Sequence, residues 1–237
     1  MSSIHEFYQR LVRNPALFWS TDAGLSVLLV SLTIHIFIIG PLSRHYNTGG
    51  LLSVLFMFVL LSGVLSASPS ARLRRLMLLV AIPAVLLQWA PNTFPEKMWL
   101  ALQHGINAVF CAMISVTLMM RVFERGPKTG HRVLGAIAVY LMQGIMWAAL
   151  YQLLEVFLPG SFQLSPSADA LPRSRAAENS VFVYFSFVTL TTVGYGDVLA
   201  VDPLARSLAM MEALAGQLFP AVLIARIVAL QVSEEKG

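Results

Sequence analysis

Charge is what this chain has least of. Only 12% of its 237 residues are Asp, Glu, Lys or Arg, against about 25% in a soluble domain. The chain is also 57% hydrophobic, with a mean hydropathy of +0.72, and its apolar residues fall in long unbroken runs. An ordinary water-soluble globule is excluded. Cysteine is nearly absent: Cys111 stands alone inside an apolar run, so no disulfide framework exists within one chain. The net charge of +4 is no nucleic-acid footprint and is read instead as a distribution over loops. No nucleotide loop, zinc spacing or Ser/His/Asp constellation occurs, so neither catalysis nor a cofactor is expected. The N-terminus, MSSIHEFYQRLVRNPALFW, lacks the basic start, apolar core and small-residue cleavage site of a signal peptide and is expected to be retained.

What is there is an all-α membrane protein. A spanning helix needs roughly 20 mostly apolar residues, and six candidates occur, near 23–42, 50–67, 73–90, 98–123, 133–158 and 203–231. Pro83 interrupts the third and is expected to kink it or to be compensated by neighbours. Between the last two spans, ENSVFVYFSFVTL (178–190) is too short to cross and too apolar for a loop. A re-entrant half-helix fits, provided protein buries it. Residues 1–20 form either an amphipathic helix on the inner leaflet, with Phe7, Leu11 and Phe18 roughly on one side, or a short tail.

Lysine and arginine set the orientation. With the N-terminus on one side, that side collects eleven: Arg10, Arg13, Arg72, Arg74, Arg75, Arg121, Arg125, Lys128, Arg132, Arg226 and Lys236. The other side holds five, Arg44, Lys97, Arg173, Arg175 and Arg206. The richer side is expected in the cytoplasm, with both termini, and the re-entrant segment enters from outside. The expected localisation is a plasma (inner) membrane. The division that follows is a cytoplasmic segment 1–22, a four-helix peripheral domain 23–132, a pore domain 133–232 and a short tail 233–237, with no soluble domain attached.

After the half-helix comes TLTTVGYGD, residues 189–197. It suits neither helix nor strand. Irregular backbone at membrane depth survives only where it is buried or lines a watery path. Gly194 and Gly196 reach backbone angles that other residues avoid, so successive carbonyls can point the same way. Several chains around an axis would then stack rings of carbonyl oxygens able to replace the water around a cation. The Thr192 hydroxyl would add an inner ring, Tyr195 would brace the strip from outside, and Asp197 would sit at the outer mouth.

Thr192-Val193-Gly194-Tyr195-Gly196-Asp197 resembles the selectivity filter of potassium channels residue for residue, a low-false-positive motif. The upstream YFSFVTLT looks like that family's pore helix, and the downstream ALAGQLFPAVLIARIV like its pore-lining inner helix, with Gly216 at the hinge position. The resemblance covers roughly 133–232. It implies a homotetramer with a central pore, potassium held at Thr192, Val193, Gly194 and Tyr195, and passive conduction through Thr192–Gly196. A pore helix ending at Thr191 would aim its carbonyl end, about −0.5 of an elementary charge, at the pore centre, with Asn179 or Ser180 capping its start. Val188 departs from relatives that carry a glutamate there, so the partner of Asp197 is open.

Six-helix relatives often sense voltage through arginines at every third position of the fourth helix, each worth about 2.3 kcal/mol per 100 mV. Here Met98 to Met120 holds no lysine or arginine. Arg121, Arg125, Lys128 and Arg132 follow the apolar run and are interrupted by Gly126-Pro127, as positive-inside anchors do. Little intrinsic voltage dependence is expected. Glu212, one turn before Gly216, is either a tuning charge behind the filter, pairing with a pore-helix hydroxyl or a tyrosine, or a protonated or hydrogen-bonded packing residue. Glu155 reads as a rim residue, and His35, His104 and Asn107 as packing or interhelical hydrogen bonds. Gln217, Pro220, Ile224 and Val228 share one helical face; it lines the pore, with Ile224 and Val228 as a dewetting constriction, or it packs on the fifth helix. Pro220 favours a kink.

The expected function is potassium-selective conduction, with potassium and the lipid bilayer as partners and an unidentified lipid or ligand as regulator. The rivals are a membrane subunit of a potassium-uptake transporter, which usually carries several degenerate filter copies in one chain, and a non-conducting receptor or scaffold.

Overall fold

The computed structural model describes residues 22–39, 42, 49–67, 71–89, 95–123, 129–164 and 175–235. The N-terminal stretch with Phe7, Leu11 and Phe18 lies outside them, as do Arg10, Arg13, Arg44, Arg125, Lys128, Arg173 and Lys236. The elements in chain order are α1 (Asp22–Thr33) running into a π-helical stretch (Ile34–Ile39), α2 (Gly49–Ala67), α3 (Ala71–Trp89), α4 (Glu96–Phe123), α5 (Thr129–Phe157), β1 (Phe162–Leu164), α6 (Arg175–Leu190), β2 (Val198–Ala200) and α7 (Pro203–Glu235). The chain is mostly helical. Among the described residues three segments are long and apolar enough to cross a membrane: Glu96–Phe123, Val133–Phe157 and Pro203–Arg226. Gly24–Ile38 and Ser53–Val64 are apolar but shorter.

The helices end where local chemistry ends them. At the start of α7, Asp202 accepts the Leu204 amide at 2.8 Å, and Pro203 takes the first helical position, where a missing N–H costs nothing. In α1, the hydroxyls of Ser31 and Thr33 bond back to the carbonyls of Leu28 and Leu29 at 2.8 Å each. Such back-bonding competes with the helical ladder, and the π-helical turns begin just beyond it. Pro83 and Pro220 both lie inside continuous helices.

One reading needs correction. The fold is not purely helical: β1 pairs antiparallel with β2, Phe162 opposite Ala200 and Leu164 opposite Val198. Strands of three residues carry no periodic signal. The ribbon nevertheless ties the turn after α5 to the chain leaving the candidate filter. That turn is itself held: Gly160, at φ +86°, donates its amide to Glu155 Oε1 at 2.6 Å.

Two apolar clusters form the core. The larger joins α1 to α5 around Leu28, Leu32, Val59, Phe110, Ile114 and Met142. The smaller gathers Trp147, Tyr151, Phe162, Phe185 and Leu190 beneath the candidate site, with Tyr151 edge-on to Phe162 and Phe185. Glycine permits the closest approach of α5 to α6. A Cβ on Gly144 would lie 2.5 Å from the Phe187 ring, so the ring occupies the space a side chain would need. By contrast α7 rests mainly on α6 and α5 and leaves Met210, Leu214 and Leu218 exposed.

Gly144→Val is expected to destabilise the fold by about 1–3 kcal/mol through overpacking. The measurement is the thermal midpoint in detergent. Adding Phe187→Ala in the same chain should recover part of the loss, because the ring that blocks the valine is gone.

Candidate functional site

The site is built where α6 stops. Thr192 donates its amide to Thr189 O at 2.9 Å, and Val193 donates to Val188 O at 3.0 Å. Those two bonds, with Thr192 at φ +59°, make a Schellman C-cap. Glycine normally takes the left-handed position of that motif. A β-branched residue there is an outlier. Gly194 at φ +58° and Gly196 at φ +78° continue the pattern. Every second residue from 192 to 196 thus has a positive φ, and the strip alternates in hand along its length.

The inner end of the strip is held by α7. Gln217 Nε2 donates to the Thr192 hydroxyl at 2.8 Å. One residue earlier, Gly216 lies directly against the Leu190 carbonyl, so closely that a Cβ would overlap the oxygen. The same carbonyl accepts from the Tyr140 hydroxyl at 3.3 Å. A packing need for glycine at 216 is therefore present, alongside the hinge expected from the sequence.

The outer end is held by α6 itself. Tyr184 donates its hydroxyl to Asp197 Oδ2 at 2.7 Å, and Asp197 Oδ1 accepts the Val198 amide at 3.1 Å. The partner of Asp197 is thus a tyrosine one helical turn before Val188. Thr191 bonds back to the Phe187 carbonyl at 2.6 Å. The capping expectation for Asn179 and Ser180 is corrected: α6 begins at Arg175, so both lie within it. Ala176 and Ala177 favour helix, and Glu178 in the first turn suits the positive end of the dipole.

Behind the strip, Glu212 is fully buried, as are Ser186 and Tyr151. Ser186 Oγ lies 2.5 Å from Glu212 Oε1 and 2.7 Å from the Gly144 carbonyl, and the Tyr151 hydroxyl bonds to Glu212 Oε2. Residues of α5, α6 and α7 meet at this one carboxyl.

The strip itself has little cover from its own chain. Thr191 to Gly196 are exposed, with Val193 at 53% and Tyr195 at 72%. On α7, Gln217 is exposed, Pro220 is half-buried, and Ile224 and Val228 stand 63% and 53% exposed. Within the chain the face they share is thus largely uncovered. His35, His104 and Asn107 lie apart, lining a cavity of about 1070 Å³ bounded by the π-helical stretch, α2 to α5 and the start of α6. Among the described residues no group of His, Cys, Asp or Glu is arranged to hold a metal. Thr192's left-handed backbone and the Tyr184–Asp197 bond were not foreseen in the sequence. The first breaks a residue preference, and the second depends on how α6 turns against the returning strip.

Residues 174–232, a quarter of the chain, match the family model described as an ion channel. The chain is similar to Protein LctB of Bacillus caldotenax, 37% identical over 89 residues that cover 38% of this chain and 64% of that protein. It is also similar to Protein LctB of Geobacillus stearothermophilus, 40% identical over 82 residues covering 35% and 59%. The chain thus spans less than two thirds of either relative's length. No solved structure matches. The stretch 174–232 thus resembles an ion-channel domain, and among the described residues three helices are long and apolar enough to cross a membrane.

Tyr184→Phe removes the donor to Asp197 and should cost about 1 kcal/mol locally. Hydrogen exchange reads it directly. The Val198 amide, held by the same carboxylate, should exchange several-fold faster in the variant, while amides of α4 stay unchanged.

Proposed function

We propose that this chain is a subunit of a potassium-selective channel, in which four copies surround a pore and ions pass down their electrochemical gradient. The observation that carries the reading is the strip Thr192–Gly196. Its alternating positive φ lets successive carbonyls face one way, and its exposure within one chain leaves a face to be covered by other copies. Carbonyl rings of this kind replace the hydration shell of a cation. The ion-channel match over residues 174–232 supports conduction, and the motif supports potassium as the ion. Irregular backbone at membrane depth needs protein or a watery path around it, and a homotetramer supplies both.

In this arrangement Gln217 faces a water-filled cavity below the strip, and Ile224 and Val228 form an apolar ring further in. Such a ring can gate by dewetting. Asp197 draws cations to the outer mouth. The protein sits in the plasma membrane with both termini in the cytoplasm. The pore-domain frame is α5 to α7, with α1 to α4 as a peripheral domain. With no lysine or arginine between Met98 and Met120 of α4, the peripheral domain moves little charge in the field, and conduction depends weakly on voltage.

The test is the reversal potential of the purified chain in a planar bilayer under opposed potassium and sodium gradients. A value near the potassium equilibrium potential is expected, with a conductance that changes little over a wide voltage sweep. A reversal potential near zero would sink potassium selectivity and leave a non-selective pore. Tyr195→Ala should move a selective wild-type value toward zero.

A further inference from the structure

The hydrogen bonds around Glu212 can be counted, and the count does not close unless the carboxyl carries a proton. Three contacts form a chain: Tyr151 hydroxyl to Glu212 Oε2, Glu212 Oε1 to Ser186 Oγ at 2.5 Å, and Ser186 Oγ to the Gly144 carbonyl at 2.7 Å. Each contact needs one hydrogen. Tyr151 supplies the first. Ser186 has one hydrogen, and the Gly144 carbonyl can only accept, so that hydrogen points at Gly144. The contact between Glu212 and Ser186 is then left with two acceptors facing each other, unless Glu212 donates.

The surroundings agree. Glu212, Ser186 and Tyr151 are all 0% exposed. Every partner of Glu212 is a neutral hydroxyl, and no basic side chain bonds to it among the described residues. An ionised carboxylate buried without a cation is strongly disfavoured. A neutral acid with one donor and one acceptor side satisfied is not. The partners are held in place independently: Tyr151 by the rings of Trp147, Phe162 and Phe185, and Gly144 by the Phe187 ring that fills its missing side chain.

We propose that Glu212 is an un-ionised carboxylic acid that accepts from Tyr151 and donates to Ser186, a positioning residue that fixes α6 between α5 and α7. Ser186 lies four residues before Leu190, the end of α6, and Gly216, one turn after Glu212, touches the Leu190 carbonyl. The bridge therefore sets where the strip begins. Glu212 acts on the strip through α6: among the described residues its hydrogen bonds go to Tyr151 and Ser186, not to the strip. The positioning role rests on the channel reading; the protonation state does not.

The experiment is infrared spectroscopy of the full chain in lipid at neutral pH, taken as wild type minus Glu212→Gln. The expected result is a protonated-carboxyl C=O band present in the wild type and lost in the variant. Ser186→Ala removes the acceptor of the acid's hydrogen and should shift that band to higher frequency. This second variant carries the test if Glu212→Gln does not fold. A difference spectrum containing only carboxylate stretches overturns the proposal, and so does a band that Ser186→Ala leaves unmoved. Ion flux tests the role. Glutamine has one acceptor and one donor side, as the neutral acid does, so Glu212→Gln should keep the wild-type ion selectivity and Glu212→Ala should lose it. A folded Glu212→Gln protein that has lost selectivity sinks the bridge. If the wild type itself proves unselective, the channel reading fails, and the infrared result still decides the protonation state.

Discussion

At membrane depth there is no water to satisfy a backbone that is neither helix nor strand. On the proposed channel reading residues 191–196 are such a backbone, and the elements around them are arranged to hold it. The chain enters them through a helix cap that leaves few groups unpaired. The Val188 carbonyl takes the amides of both Val193 and Gly194, at 3.0 and 3.3 Å. Beyond Gly194 the strip runs out along the surface of its own chain, and side chains hold its two ends. The inner end is the Gln217 bond to Thr192; the outer is the Tyr184 bond to Asp197.

Holding a strip by its ends works only if the ends belong to a rigid frame. Two glycines and one carboxyl supply it. Gly144 lets α5 close on α6, and Gly216 lets α7 close on the last carbonyl of α6. Glu212 reaches both neighbours of α7 from a single buried position. The β1–β2 ribbon closes the outer end, joining the turn after α5 to the residues that follow Asp197. Each device joins two of the same three helices. Residues that move α6 by a fraction of a helical turn would therefore move the start of the strip.

Much of this was legible in the sequence, for physical reasons. Long apolar runs specify helices whatever they pack against, which is why α4, α5 and α7 can be read from composition. Gly194 and Gly196 advertise left-handed backbone because few other residues adopt it. Glu212 was conspicuous as an acid in an apolar helix, with a pore-helix hydroxyl or a tyrosine framed as candidate partners. The structure has both, Ser186 and Tyr151. What was not legible depends on tertiary geometry. The ribbon is too short to show a period. The extension of α6 back to Arg175 rests on two alanines and a first-turn glutamate, a weaker signal than the Asn179 and Ser180 that looked like caps. Tyr184 meets Asp197 only because the strip doubles back along α6.

Thr192 is the sharpest case. Its backbone sits where glycine would be at ease, and a non-glycine residue there is disfavoured by about 1–3 kcal/mol. A helix cap alone does not call for that cost, since glycine makes the same two hydrogen bonds. The difference between the two residues is the side chain, and its hydroxyl is the atom that Gln217 bonds. One lone pair of that oxygen is occupied by the amide, and a second remains. The strain therefore places one oriented acceptor at the inner end of a strip of carbonyls. Serine would offer the same oxygen with less crowding at Cβ but a freer rotor. The β-branch restricts χ1, so the residue that strains the backbone also fixes the direction of its oxygen.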